Sequence, residues 1–342
     1  MVMKKLIYTL LCSIAIISNI NSQWILKNST VNVDLNSIYV DSTGVFCCAC
    51  GNSGKIVISS NGGETWHEVQ TNITTNLNSI LFCDRYWGWA VGAGGKVISS
   101  SNGGENWYNQ SSSPTDRYSI FAWQHNNSGR WALTVGDVLN GFNPIIRRTI
   151  NGGLNWTDVG NSMNKNLRDI KLIDGDINYG IGFAVGGGTN SCIAKTYDGG
   201  ASWTNLNITF TGILNSVCLI NVDTIFIVGN NGRLLYSSNS GVNWTSNYIS
   251  TSNLYSISFS DKNNGYIVGD YGTVIKTTDG GLNWNYQINV NGIHKGVKFI
   301  NPNTGWIVSN FGTIYKTTNG GEPIGIQNIS NQVPDNFSIK QN

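Results

Sequence analysis

Six segments of this chain carry the same punctuation: Asn or Asp, two small residues, two spacers and a tryptophan. They end at Trp66, Trp107, Trp156, Trp203, Trp244 and Trp284, spaced 41, 49, 47, 41 and 40 residues apart. A seventh copy, Asn319-Gly320-Gly321, meets Ile324 in the tryptophan slot. A unit this short cannot enclose a core of its own, so the units have to stack and share one.

Each unit reads as four short strands. In the second, Asn78-Ser79-Ile80-Leu81-Phe82 leads to Trp89-Ala90-Val91-Gly92, then Lys96-Val97-Ile98-Ser99, then a strand beginning at Trp107. The sixth repeats the order with Tyr255-Ser256-Ile257-Ser258-Phe259, Tyr266-Ile267-Val268-Gly269 and Thr273-Val274-Ile275-Lys276. Asn or Asp followed by glycine supplies the positive φ angles of a tight turn, and the Ser/Thr and Asn/Asp side chains bond to the turn's own backbone. The tryptophan packs over the turn and anchors the outer strand. Four antiparallel strands per unit describe the blade of a β-propeller. Charged residues at 12%, with 41 Gly, 12 Trp and 5 Pro, agree with an all-β globular chain and exclude disorder.

The ends set the blade number. Trp24 lies 42 residues before Trp66, in phase, with no strands ahead of it. The seventh unit lacks its fourth strand, and Pro323 stands where that strand would begin. The expectation is an all-β, seven-bladed propeller over residues 23–321, closed by Gln23 to Lys27 as the outer strand of blade 7.

Lys4 and Lys5 precede an apolar run from Leu6 to Ile17 and then polar Ser18-Asn19-Ile20-Asn21-Ser22, the pattern of a secretory signal peptide. The run is too short for a membrane span. Removing residues 1–22 takes two lysines from a net charge of +2 and leaves a neutral chain. Neutrality argues against nucleic acid or an anionic membrane as partner. Six cysteines remain: Cys47, Cys48, Cys50, Cys83, Cys192 and Cys218. The first three crowd one strand, and they read as buried small apolar residues before they read as disulfides. His67, His125 and His294 are scattered, so neither a metal site nor a cofactor is expected.

The units resemble BNR or Asp-box repeats, and most closely those of the photosystem II assembly-factor family. The resemblance rests on Gly88-Trp89-Ala90-Val91-Gly92 with Gly95-Lys96-Val97 and Asn102-Gly103-Gly104, and on Gly305-Trp306-Ile307-Val308 with Gly312-Thr313-Ile314 and Asn319-Gly320-Gly321. It implies the propeller fold and a role in assembling a membrane complex. That family carries arginines on its ring; here Arg117 and Arg168 lie near blade starts. A second resemblance covers Ile326-Gln327-Asn328-Ile329 and Val333-Pro334-Asp335-Asn336-Phe337-Ser338-Ile339-Lys340-Gln341-Asn342, within a linker and tail spanning 322–342. It is similar to the opening of a type A sorting domain. This implies export by type IX secretion machinery to the cell surface or medium.

The repeated Asn/Asp residues, Asn61, Asp198 and Asp279 among them, read as architecture because every unit has one. Function is expected where residues vary within the fixed frame. The residues opening each first strand are Asn36, Asn78, Tyr118, Arg168, Asn215, Tyr255 and Lys295. They should surround one mouth of the central channel, with Asp137, Asp270, Tyr271, Asn310 and Phe311 from the next loops. Unit 3 adds loops at Gln124 to Arg130 and Asp137 to Asn143, with Phe142 as an exposed contact. Such a mouth suits a protein or glycan ligand, and the chain reads as a monomeric, noncatalytic binding scaffold. The alternatives are a carbohydrate-active hydrolase, for which Asp137 and Asp270 are the best carboxylate pair, and an assembly factor for a membrane complex.

Overall fold

The computed structural model describes residues 24–110, 115–125, 129–138, 146–160, 165–173, 180–287 and 290–322. The expected leader (residues 1–22), Gln23, Phe142, Pro323, Ile324 and the sorting-domain-like segment lie outside them. The described strands form seven four-stranded antiparallel sheets. Blade 1 comprises Leu35–Val40, Cys47–Gly51, Ile56–Ser59 and His67–Val69, from the channel outward. Blade 7 comprises His294–Phe299, Gly305–Ser309 and Thr313–Thr317, and its outer strand is Ile25–Asn28 from the other end of the chain. Ile25 pairs with Lys316 and Asn28 with Thr313, as the missing fourth strand of the seventh unit required.

Second strands such as Gly88–Gly92, Ile225–Gly229 and Gly265–Gly269 are buried on both faces because each blade is sandwiched between two others. That explains their unbroken apolar runs, such as Ile225–Gly229. The described core divides into seven clusters, one at each blade interface. Cys48 and Cys50 face blade 2 while Cys47 faces blade 7, and all six described cysteines are free thiols.

The turn before each tryptophan is a lock. In blade 1 the Gly63 amide donates to Ser59 Oγ (2.8 Å) and the Thr65 amide to Asn61 Oδ1 (3.0 Å). The Trp66 indole N–H donates to the Gly63 carbonyl at 3.1 Å. The positive φ angles belong to Gly62 (71°) and Gly63 (81°), not to the asparagine, because the Asn side chain acts as an acceptor outside the turn's left-handed pair. A Cβ on Gly63 would come within 2.5 Å of Trp306 in blade 7, so that position also needs glycine for interblade packing. Each repeat tryptophan plugs the interface with the preceding blade. Trp66, Trp107, Trp156, Trp203, Trp244 and Trp284 take six interfaces, and Trp24 fills the seventh against Phe299 (5.8 Å, edge-on).

In unit 3 the described residues Gln124, His125, Gly129 and Arg130, expected in a loop, extend the hairpin instead. Gln124 pairs with Arg130, and Trp123 packs on Trp131 at 5.8 Å, which gives the extra strand length its own apolar contact.

At the hub, five inner strands begin with a buried leucine (Leu35, Leu77, Leu167, Leu214, Leu254) opposite a glycine (Gly51, Gly92, Gly186, Gly229, Gly269). Arg117 takes the leucine position in blade 3 and His294 in blade 7. In blade 7 the glycine is also replaced, by Ser309, whose hydroxyl bonds to His294 Nδ1. The other ring nitrogen meets the Val290 carbonyl at 3.3 Å. Burial depresses the His294 pKa from 6.5 to about 4, so the imidazole is neutral at pH 7.

A histidine with a depressed folded pKa gains a proton on unfolding. Its contribution is therefore complete above pH 6.5 and is lost as pH falls toward 4. The expected outcome is that the wild type loses about 3 kcal/mol more stability between those limits than His294→Leu/Ser309→Gly. Urea unfolding at a series of pH values measures the difference, and parallel curves would refute it.

Candidate functional site

Every inner strand carries the same irregularity. The pairing register shifts after its first residue, between Leu35 and Ser37 in blade 1 and at the matching place in the other six blades. The residue left unpaired by this bulge is Asn36, Asn78, Tyr118, Arg168, Asn215, Tyr255 or Lys295, the set that varies in sequence. A bulge re-aims its side chain, and all seven line the central cavity, whose volume is about 420 Å³.

The seven divide by chemistry. Asn36, Asn78 and Asn215 donate Nδ2–H to the carbonyls of Leu77, Arg117 and Leu254 in the next blade, each at 2.8 Å. Those three are stitches between blades, and their amide donors are already engaged. The other four form two similar groups on separate arcs of the mouth. In blades 3 and 4, the Tyr118 hydroxyl donates to Asp137 Oδ2 (2.8 Å) and the Arg168 guanidinium stacks on the Tyr118 ring at 3.8 Å. In blades 6 and 7, the Tyr255 hydroxyl donates to Asp270 Oδ2 (3.0 Å) and Lys295 Nζ lies 3.8 Å from the Tyr255 ring centre. Burial and the Asp137 hydrogen bond raise the Tyr118 pKa to about 12, and burial and Asp270 raise that of Tyr255. Asp137 and Asp270, considered above as a facing pair, are thus each engaged by a tyrosine of their own blade.

The loops beyond the second strands form the rim. At five blade junctions an Asn or Asp just before one inner strand accepts a backbone N–H from the preceding blade's rim turn. In four of these turns the N–H belongs to the residue at positive φ in blades 1, 2, 5 and 7: Ser53, Gly94, Asn231 and Phe311. Tyr271 holds the same conformation in blade 6. Small or amide residues suit that left-handed backbone, whereas bulky aromatics are outliers there. Yet Tyr271 and Phe311, both at φ 54°, sit on adjacent blades with side chains 90% and 70% exposed. Asn310 is structural, its Oδ1 accepting from the Ile293 amide at 2.9 Å.

One layer below the bulges lies a ring of Ser37, Ser79, Ser119, Asp169, Ser216, Ser256 and Gly296, which the sequence reading passed over. Ser37, Ser79 and Ser256 each accept the amide of the next blade at 3.3 Å. Asp169 takes more. Its carboxylate accepts from Ser119 and Ile170, from Ser216 and Val217, and from the Lys171 ammonium (2.9 Å), tying blades 3, 4 and 5 together. Aligning the inner strands exposes it as the one acid in a column of serines.

Replacing Asp169 by Ala strands two hydroxyls and two amides at a buried position and removes the acceptor of the partly exposed Lys171 ammonium. The expected loss of stability is about 3–4 kcal/mol, with Asp169→Ser losing roughly half as much. Denaturant unfolding of both variants is the measurement, and an Asp169→Ser variant as stable as wild type would show that the carboxylate adds nothing beyond the serine of the other blades.

Among the described residues no helix is long and apolar enough to cross a membrane, and no three His, Cys, Asp or Glu residues are grouped to hold a metal. A profile of the family described as photosynthesis system II assembly factor YCF48 matches residues 149–252 and again 247–340, together more than half of the chain. Among solved structures, a YCF48 bound to a D1 peptide aligns with a TM-score of 0.70 at 18% identity, covering 87% of this chain and 96% of that one. YCF48 from Cyanidioschyzon merolae aligns at 0.69 and 16% identity over 86% and 99% of the two chains. The WD40 β-propeller domain of Doa1 follows at 0.63 and 11% over 86% and 96%. No curated protein sequence matches. Identities this low speak for the fold alone, while the doubled profile match over the repeats is specific: this chain belongs to the photosynthesis system II assembly factor YCF48 family.

Proposed function

We propose that this chain is an exported, noncatalytic propeller that holds a segment of a partner protein at its channel mouth, in the manner of an assembly factor. The observation that carries the reading is the aromatic pair on the rim. A bulky residue at positive φ costs on the order of 1 kcal/mol, and blades 6 and 7 both bear that cost with side chains that cover nothing of their own core. Exposed aromatics beside a cation and a tyrosine form an anchor for protein contact. The same two blades carry Lys295 and Tyr255 at the channel, and blades 3 and 4 carry Tyr118, Arg168 and Asp137.

Family membership supports a role in assembly, and a related propeller is known bound to a D1 peptide. Export rests on the leader-like residues 1–22 and on the C-terminal resemblance to a sorting domain. A hydrolase needs two carboxylates facing one substrate, and the tyrosine bonds of Asp137 and Asp270 speak against that use.

The test is Tyr271→Asn/Phe311→Asn, because Asn231 already occupies the equivalent position in blade 5 at φ 56°. The double variant is expected to be more stable than wild type by about 1 kcal/mol and to lose the envelope protein that wild type captures by crosslinking. An unchanged set of captured proteins would defeat this assignment of the mouth. So would saturable glycan binding with no protein captured.

A further inference from the structure

We propose that the lower half of the channel, below the serine ring, is a binding site for a small carboxylate with an apolar body, held between Lys171 and Lys298. The fifth residue along each inner strand sets this layer. Lys171, Cys218, Ser258 and Lys298 come from the four consecutive blades 4 to 7, and all line the cavity. Tyr39 and Leu81, at the same position in blades 1 and 2, line the opposite wall. One half of the layer is therefore made of donors and the other of ring and alkyl surface.

The layer holds more donors than acceptors. Lys171 shares Asp169 Oδ1 with a serine and an amide. Lys298 makes no ion pair among the described residues, although it is largely buried. Burial lowers its pKa, with the Cys218 thiol opposing that shift and Lys171 adding to it. Ser258 Oγ accepts the Phe299 amide at 3.1 Å, which leaves its own O–H to donate. Charged residues lining the channel are Arg168, Lys171, Lys295 and Lys298 against the single carboxylate of Asp169. A cleft lined by one sign of charge concentrates ligands of the other.

A carboxylate placed between the two ammonium groups would supply the missing counterion and accept from Ser258. An attached ring or chain would lie against Tyr39 and Leu81. A cavity of about 420 Å³ has room for such a molecule. The apolar wall favours an organic acid over a bare inorganic anion, which would leave that surface wet.

Isothermal titration of the mature chain with benzoate, benzyl alcohol and inorganic phosphate tests the site. Benzoate is expected to bind saturably at one site, with the neutral alcohol and the phosphate at least tenfold weaker. Lys298→Met and Lys171→Met, each checked by near-UV circular dichroism, are expected to weaken benzoate at least tenfold. Absence of saturable benzoate binding overturns the proposal, as does equal affinity for the alcohol or for phosphate. Full affinity in both folded variants overturns it too. The three-ligand comparison needs only wild-type protein, so it decides even where a variant fails to fold.

Discussion

Interblade packing is the interaction on which the rest depends. No blade owns a core: each cluster of buried side chains draws on two neighbouring sheets, with one repeat tryptophan plugged into every interface. Six blades in an open row would leave two apolar faces in water, so the ring has to close. The N-terminal strand closes it by bringing both a ladder partner for Thr313–Thr317 and the seventh tryptophan. Glu64 adds ion pairs to Lys27 and Lys316 across that seam, each at 2.6 Å, though such an exposed carboxylate contributes little stability.

Closure gives the hub its geometry. Seven inner strands converge, and in six of them a glycine opposite the first residue lets the backbones approach. At Gly92 a Cβ would come within 2.0 Å of the Asn76 carbonyl. The bulge that follows turns one residue per blade toward the channel. Where that residue is asparagine, it bonds to the next blade and stiffens the ring. Where it is tyrosine or a cation, the ring forgoes the stitch and gains a charged, aromatic surface. This chain gives three of the seven positions to stitching between blades.

The fold was legible because its determinants are local and repeated. Turn residues, strand lengths and tryptophan spacing recur in each unit, and the two irregular units at Trp24 and Ile324 disclose the closure. The candidate site was legible only in outline. Variation at Asn36, Tyr118 or Lys295 marked positions that line the channel, but not that the amides of Asn36, Asn78 and Asn215 bond between blades. Nor did spacing reveal that Asp137 and Asp270 each serve a tyrosine. Asp169 escaped notice because its partners Ser119 and Ser216 lie 50 and 47 residues away.

From the sequence alone come the asparagine-glycine-glycine turn, the four-stranded unit, the blade number and the strand that closes the ring, because each follows from short-range backbone preference or from counting. The tertiary structure decided how the tryptophan acts: it seals the gap to the preceding blade, beyond capping its own turn. It also decided which channel residues bond between blades and which do not. Those outcomes depend on contacts between blades 39 to 47 residues apart in the chain, and periodicity carries no information about which side chain meets which across such a gap.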